Sequence, residues 1–135
     1  MGNAVSNDVV SKAMSEVHLQ GEKVVMTNGC FDLLHPGHLD YLARARRLGD
    51  RLVVAVNDDA SVQRFKGTTR PVNPLNVRQQ MLAGLAVVDF VLSFSEDTPE
   101  DLYRRVLPDV LVKGGDYCAE EVIGGDSVRA AGGRV

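Results

Sequence analysis

Hydrophobic residues in this chain occur in two alternating patterns. Short, continuous apolar runs are typical of strands in a parallel sheet covered on both faces, and they lie at 23–28, 51–57, 87–94 and 109–113. Between these runs, apolar residues recur at helical spacing, which predicts helices over 8–19, 36–48, 60–65, 75–85, 99–107 and part of 120–131. A further strand is expected to begin at 132–135. Strands that alternate with helices predict a doubly wound α/β fold, in which a parallel sheet has helices on both faces.

The most informative stretch is 27–42, where the first strand passes through a loop into the second helix. Pro36 suits the first turn of that helix, because its missing N–H would have no partner there. The start of a helix attracts anions through free backbone N–H groups and the positive end of the helix dipole. Gly29 and Gly37 have no Cβ, so a phosphate can approach the backbone closely. The stretch therefore predicts a phosphate-binding loop.

Two histidines stand at the beginning of the same helix. His35 and His38 are three residues apart and are therefore neighbours on one helical face. Beside a phosphate, two imidazoles can donate hydrogen bonds or positive charge. An alternative is that both histidines bind a transition metal together with Asp32. No further cysteine or histidine spacing indicates a structural zinc site.

The four residues from His35 to His38, His-Pro-Gly-His, match the H-x-G-H motif of the nucleotidyltransferase superfamily. The longer stretch 27–42 resembles the cytidylyltransferase-like branch of that superfamily. Further blocks resemble the adenylyltransferase domain of bacterial ADP-heptose synthases and occur in the same order, at 23–29, 66–67, 70–74 and 111–117. The resemblance extends over 21–135 and implies the nucleotidyltransferase variant of the Rossmann-like fold.

The resemblance implies a reaction between a sugar phosphate and a nucleoside triphosphate. ATP and D-glycero-β-D-manno-heptose 1-phosphate would give ADP-heptose, a precursor of the lipopolysaccharide core, and pyrophosphate, with Mg²⁺ as the cofactor. An alternative within the same chemistry is a cytidylyltransferase that uses CTP and glycerol 3-phosphate or a similar alcohol phosphate. A third interpretation is a nucleotide-binding module without catalysis.

The resemblance also implies roles for individual residues. The catalytic residues would be His35, His38 and Lys66. The nucleotide-binding residues would be Thr27, Asn28, Gly29, Cys30, Phe31, Asp32, Gly37, Asp59, Arg78, Asp89, Lys113, Gly114, Gly115 and Asp116. Arg70 would contact the substrate phosphate, and Asp32 is the nearest carboxylate for Mg²⁺.

Several of these residues also have a purely structural interpretation. Asp59 suits the N-cap of a helix, Arg78 suits a surface ion pair, and Asp89 suits the start of a strand. Cys30 is interpreted as a small loop residue that offers its backbone N–H, because no base is assigned to its thiol. The turn at 113–117 can be a tight turn without a ligand.

Composition excludes other classes of protein. The 135 residues have a formal net charge of −3, so no basic excess indicates a nucleic-acid partner. No apolar run approaches the length of a membrane span, and no signal peptide is visible. Two cysteines do not make a disulfide framework, which favours a reducing cytoplasm. The expected partners are therefore a small sugar phosphate and a nucleoside triphosphate.

The chain is expected to hold one domain behind a short extension. Residues 1–20 are interpreted as an N-terminal helix or linker, and 21–135 as the nucleotidyltransferase domain. Members of the family complete the last strand and continue through a Ser/Thr-rich loop that contacts the triphosphate. This chain stops at Val135, so we expect a truncated C-terminus. The resemblance further implies fusion to, or cooperation with, a sugar kinase, and a homodimer.

Overall fold

The computed structural model describes residues 3–4, 7–96, 99–113 and 125–135, and within them it contains a five-stranded parallel sheet. The strands are β1 (Asn3–Ala4), β2 (Val24–Gly29), β3 (Arg51–Asn57), β4 (Phe90–Phe94) and β5 (Val110–Leu111). The helices are α1 (Asn7–Leu19), α2 (Pro36–Arg46), α3 (Asp59–Lys66), α4 (Leu75–Ala83), α5 (Glu100–Val106) and α6 (Gly125–Ala130). The order of strands in the sheet is β1-β4-β3-β2-β5.

The two long neighbouring strands, β2 and β3, form the middle of the sheet. Their register begins with Val24 opposite Arg51 and continues to Gly29 opposite Val56. Residues 24–27 of β2 and 52–57 of β3 are all buried. Because successive side chains of a strand point to opposite faces, this continuous burial requires helices on both faces of the sheet.

Each face of the sheet has its own hydrophobic cluster. One cluster joins the strands to α1 and α5, and its members include Met14, Met26, Val53 and Leu102. The other joins the strands to α2 and α4, and its members include Val25, Leu42, Val54 and Leu82. The alternation of Val25 with Met26 and of Val53 with Val54 between the two clusters fixes the orientation of both central strands.

The predicted α/β fold is confirmed, and the differences concern short strands. The four predicted runs correspond to β2, β3, β4 and β5, although β5 is only two residues long. Strand β1, which pairs with β4, was missed because two residues give no periodicity. The strand expected at 132–135 appears only as a single bridge between Val110 and Arg134.

Helix α1 packs on the sheet with one apolar stripe. Val10, Met14 and Val17 are buried in the same cluster as Met26 of β2. The division of the chain into a linker at 1–20 and a domain at 21–135 stays a prediction, and the packing of α1 supplies a way to test it. No helix in the described part of the chain, α1 included, is long and apolar enough to span a membrane.

Candidate active site

A crevice with a volume of about 470 Å³ opens at the carboxyl ends of β2 and β5. In an open α/β sheet this edge is where ligands bind. The structure brings together here the following predicted residues: Asn28, Gly29, Cys30, Phe31, Asp32, His35, His38, Lys66, Arg70 and Lys113. The lining also includes Leu33 and Tyr41, which the sequence did not single out.

The two histidines at the start of α2 hold each other and the helix end in place. His35 is the N-cap residue, and its Nδ1 accepts a hydrogen bond from the Gly37 N–H at 3.0 Å. The Nδ1 of His38 accepts a hydrogen bond from the His35 N–H at 3.3 Å. A neutral imidazole that accepts at Nδ1 carries its proton on Nε2. Both histidines are therefore fixed as Nε2–H donors, with ring centroids 4.0 Å apart.

The motif glycine is required by this arrangement. A Cβ on Gly37 would lie 2.8 Å from the Cε1 atom of His35 and 2.9 Å from its Nδ1. Such a contact would push the imidazole out of its capping position. The glycine of the H-x-G-H motif thus makes room for the first histidine ring, whereas the sequence argument assigned it to the approach of a phosphate.

The backbone N–H groups at the start of α2 are already used, which corrects the predicted open anion site. The Gly37 N–H is bonded to the His35 side chain, and the N–H groups of His38 and Leu39 donate to the His35 carbonyl at 2.9 and 3.3 Å. Pro36 has no N–H. The polar hydrogens that this helix start offers to a ligand are therefore those on the two imidazole Nε2 atoms.

The environment of His38 favours the neutral ring. Burial lowers its pKa below the ordinary value of 6.5, and the nearby His35 and Lys66 lower it further. Protonation would also place a hydrogen on Nδ1, where His38 now accepts from the His35 backbone. At neutral pH His38 consequently acts through hydrogen-bond donation by an uncharged ring.

Positive charge in the crevice comes from three residues on different segments. Lys66 ends α3, Arg70 lies in the loop that follows α3, and Lys113 follows β5. Lys66 and Arg70 are exposed, so both can move toward an anion. Three cations and two imidazole donors around one opening suit a ligand with several phosphate groups.

Asn28 is oriented by two neighbours from the far end of the chain. Its amide nitrogen donates to the Tyr103 hydroxyl at 2.7 Å, and its Oδ1 accepts from the Lys113 Nζ at 3.1 Å. Burial lowers the pKa of Lys113, although Cys30 raises it in part. Helix α5 and the residue Lys113 after β5 thus fix a polar side chain on the crevice wall. No pattern in the sequence identifies Tyr103 as its partner.

Asp32 connects the motif loop to the loop after α3. Its two carboxylate oxygens accept from the Val72 and Asn73 N–H groups at 2.8 Å each, and Arg70 lies 3.6 Å away. Desolvation raises the pKa of Asp32, but the Asn73 and Val72 N–H groups together with the arginines outweigh it, so the net pKa is lowered. This carboxylate lines the crevice and anchors the loop after α3 beside it.

The prediction that Asp32 binds Mg²⁺ does not fit this geometry. Each oxygen already accepts a hydrogen bond from a backbone N–H, and the side chain is only 8% exposed. Among the described residues there is also no group of three histidine, cysteine or acidic side chains that could hold a metal ion. The alternative transition-metal site at His35, His38 and Asp32 meets the same objection.

Arg78 is buried and does not reach the crevice, contrary to its predicted contact with the nucleotide. Its side chain is 0% exposed and pairs with Asp59 at 2.7 Å. The same guanidinium donates to the backbone carbonyls of Cys30, Asn57 and Asn73. Asp59 is thereby engaged as well, and it is the first residue of α3, where Asp58 is the N-cap.

Two further assignments are corrected by position. Asp89 lies before β4, at the opposite edge of the sheet, where it accepts from the Leu52 N–H and pairs with Arg46 and Arg51. It precedes its strand, whereas ligands bind beyond the carboxyl end of the strand.

Thr27 is fully buried, and its hydroxyl lies 2.6 Å from the Tyr41 hydroxyl, so its side chain joins β2 to α2. The predicted residues Gly114, Gly115 and Asp116 lie outside the described residues.

A parallel α/β sheet with a histidine-capped helix after a central strand, and a cationic crevice at the carboxyl edge, defines the nucleotidyltransferase class of α/β folds. The family model described as cytidylyltransferase-like matches residues 26–127. The chain belongs to this cytidylyltransferase-like family.

Individual relatives within this family show a higher similarity to the chain. The chain is 60% identical over 131 residues to the bifunctional protein HldE of Shewanella sp. (strain ANA-3), and 60% identical over 132 residues to that of Shewanella sediminis. These matches include 97% and 98% of this chain but only 28% of each relative, so the chain spans less than a third of their length. The family resemblance predicted from the sequence is thereby confirmed.

A solved structure gives the same result. The lipopolysaccharide core biosynthesis protein from Thermoplasma volcanium GSS1 superposes with a TM-score of 0.71 at 32% sequence identity. The match covers 85% of this chain and 93% of that protein. At 32% identity over 93% of that chain, the match indicates a shared family as well as a shared fold.

Proposed function

We propose that the crevice catalyses adenylyl transfer from ATP to D-glycero-β-D-manno-heptose 1-phosphate. A phosphate oxygen of the sugar phosphate attacks the α-phosphorus of ATP and forms a new oxygen–phosphorus bond. The bond from the α-phosphorus to the oxygen that bridges to the β-phosphorus breaks, and pyrophosphate leaves with the electron pair. The products are ADP-heptose and pyrophosphate. Since the nucleophile is already an anion, the protein has no proton to remove.

The observation that carries this proposal is the fixed pair of Nε2–H donors in a cationic crevice. His35 and His38 would donate to the oxygens of the α-phosphoryl group, where charge changes during the transfer. Lys66 and Arg70 would balance the charge of the departing pyrophosphate or of the sugar phosphate. Backbone N–H groups of the loop from Gly29 to Phe31 would hold the phosphates in line.

The comparisons support the choice of substrates. The relatives at 60% identity are named bifunctional HldE proteins, and the Thermoplasma neighbour is named a lipopolysaccharide core biosynthesis protein. ADP-heptose is a precursor of that core. The chain corresponds to only part of the bifunctional relatives, so we further propose that it works with, or joined to, a sugar kinase that supplies the sugar phosphate.

A second candidate keeps the reaction and changes the substrates. The family carries the description cytidylyltransferase-like, which favours CTP with glycerol 3-phosphate or another alcohol phosphate. The block at 111–117 resembles the heptose branch in sequence, but its residues 114–117 lie outside the described residues. The identity of the nucleotide must therefore be decided by assay.

The proposed cofactor is Mg²⁺ that arrives with the triphosphate. Mg²⁺ keeps several waters and binds phosphate oxygens readily, so it does not depend on Asp32, whose oxygens are occupied. A cytoplasmic location and a homodimer stay predictions from the cysteine content and from the family resemblance, respectively.

The proposal is tested by measuring pyrophosphate release with Mg²⁺ for each pair of ATP or CTP with heptose 1-phosphate or glycerol 3-phosphate. We expect release with ATP and heptose 1-phosphate. Release that requires CTP would show that the second candidate function, cytidylyl transfer, is the correct one. Binding of ATP without release from any pair would favour a non-catalytic module.

A further inference from the structure

The strongest unexplained feature near the crevice is the buried guanidinium of Arg78. Arginine has five N–H donors and no acceptor, and burying its charge is costly unless it is paired and hydrogen-bonded. Here the side chain is completely buried, and among the described residues it is paired with a single carboxylate, that of Asp59, at 2.7 Å. Its other hydrogen bonds are to backbone carbonyls, which is the pattern of a group that fixes the course of the chain.

The three carbonyls belong to three separate segments around the crevice. Nε donates to Asn73 in the loop after α3 at 3.0 Å, and Nη1 donates to Cys30 in the loop after β2 at 2.8 Å. Nη1 also donates to Asn57 at the end of β3 at 2.7 Å. Arg78 itself stands on α4. A single side chain therefore joins all of these segments behind the crevice wall.

The contact with the Cys30 carbonyl has a consequence for the other side of that peptide. The peptide bond is planar and trans, so its C=O and the following N–H point in opposite directions. When Arg78 draws the Cys30 carbonyl inward, the Phe31 N–H is directed away from Arg78. Cys30 and Phe31 both line the crevice, and Phe31 has a φ of 48°, a left-handed backbone conformation.

We propose that Arg78 is a positioning residue that turns the Cys30–Phe31 peptide so that the Phe31 N–H faces a phosphate in the crevice. This inference rests on the nucleotidyl transfer proposed above, and it assigns to Arg78 a role without direct contact to the nucleotide. A left-handed residue costs free energy, and the Arg78 contact supplies an interaction that holds it. Arg78 acts on the site through the backbone conformation that its hydrogen bond to Cys30 stabilises.

The first test observes the Phe31 backbone amide in the wild-type chain by nitrogen–proton correlation NMR during titration with ATP and Mg²⁺. We expect the Phe31 amide to be among the resonances that shift most. No response at Phe31 overturns the inference, whether or not other resonances move. This readout does not depend on turnover, so a chain that binds ATP at Phe31 but transfers nothing would refute the proposed function and leave the inference standing.

The second test compares Arg78→Lys with Arg78→Met. Lysine keeps the charge, but its single nitrogen cannot replace contacts that spread over three guanidinium nitrogens. A positioning role predicts that both variants lose kcat by about 100-fold, as small misplacements in active sites do, while KM for ATP changes little. A direct phosphate contact predicts instead that Lys retains most activity and that Met raises KM, and this result would overturn the inference.

Arg51→Lys is the matched control. Arg51 is ion-paired with Glu22 and Asp89 at the opposite edge of the same sheet, so the same substitution there should leave turnover near the wild-type value. If Arg78→Lys folds, its spectrum should show a displaced Phe31 amide within an otherwise native pattern. If it does not fold, the wild-type titration alone decides.

Discussion

At the scale of single residues, the proposed mechanism depends on which ring nitrogen of each histidine is available to a ligand. His35 and His38 use Nδ1 to accept backbone hydrogen bonds, so Nε2–H remains for the ligand. The sequence places both rings on one helical face but cannot give this orientation, because it depends on the backbone path before the helix. The sequence likewise indicates that Arg78 is important, but it cannot show that its partners are carbonyls from three distant segments.

Replacement of His38 by alanine should abolish nearly all turnover while the fold persists. Loss of one donor to a developing charge typically costs on the order of 10²–10³ in rate, and loss of the hydrogen bond that His38 accepts from the His35 N–H costs about 1 kcal/mol of stability. Pyrophosphate release and circular dichroism measure the two effects. His18→Gln is the control, because His18 lies on α1 and contacts Asp109 away from the crevice. Turnover of His38→Ala close to wild type would refute the role.

The pH dependence should show that the neutral His38 ring is the active form. Its pKa lies below 6.5, so kcat/KM should be constant at neutral pH and fall as the pH drops below 6.5 through the lowered pKa. The contribution of His38 to stability has the same sign: it is complete above 6.5 and is lost on acidification. A cationic role would instead cause activity to rise on acidification and to fall as the pH rises through the same lowered pKa.

Substrate phosphates also titrate near pH 6, so the comparison needs a reference. The residual activity of His38→Ala reports the ionisation of the substrates without that of the ring. We expect the acid limb of the wild type to be steeper than that of the variant. Superimposable profiles would show that His38 does not titrate in the active range.

At the scale of elements, the carboxyl ends of the strands gather the candidate site. The sequence predicted this edge correctly for His35, Lys66 and Lys113, because each follows a strand or begins or ends a helix in the α/β pattern. The prediction for Asp89 was wrong because Asp89 precedes its strand, which begins at Phe90. The pattern of apolar residues around Asp89 did not define where that strand begins. Strand β1 has only two residues, which is too short to show a periodic pattern of apolar residues.

Asp32→Asn should loosen the loop after α3 and lower both stability and turnover. An amide oxygen can retain one of the two backbone donors but not the charge that faces Arg70, so unfolding should become easier by about 1.5–3 kcal/mol. Urea denaturation and pyrophosphate release measure the change. Asp40→Asn, which removes an exposed pair with Arg44, should change stability by no more than about 0.5 kcal/mol.

The same variant distinguishes a loop anchor from a metal ligand. If Asp32 held Mg²⁺, a higher concentration of Mg²⁺ would restore the turnover of Asp32→Asn. Our account predicts that the loss persists at saturating Mg²⁺, because the defect is in the position of Lys66 and Arg70. Restoration by Mg²⁺ would return Asp32 to the role first predicted for it.

At the scale of the whole molecule, each face of the sheet has its own apolar cluster, and α1 contributes to one of them. Composition and periodicity were sufficient to predict one α/β domain, because the continuous apolar strands require cover on both faces. They were not sufficient to show that α1 supplies part of that cover. An amphipathic helix has the same sequence pattern in a linker as on a sheet. The burial of Val10, Met14 and Val17 in the structure indicates packing on the sheet.

Met14→Ala should therefore destabilise the domain by about 2–5 kcal/mol, the usual cost of truncating a buried methionine. Val9→Ala is the matched control on the same helix, since Val9 is 51% exposed whereas Met14 is 1% exposed. Denaturant unfolding of both variants gives the comparison. Equal stability of the two would indicate that residues 1–20 are a linker, as the sequence suggested.

The central claim is that this crevice joins a nucleotide to a sugar phosphate, and an isotope measurement tests it most directly. The chain is incubated with ATP, Mg²⁺ and heptose 1-phosphate whose three non-bridging phosphate oxygens are ¹⁸O, and the products are weighed by mass spectrometry. Attack on the α-phosphorus predicts ADP-heptose that retains all three labels and pyrophosphate that has none. Label in the pyrophosphate, or the absence of any nucleotide sugar, would contradict the account.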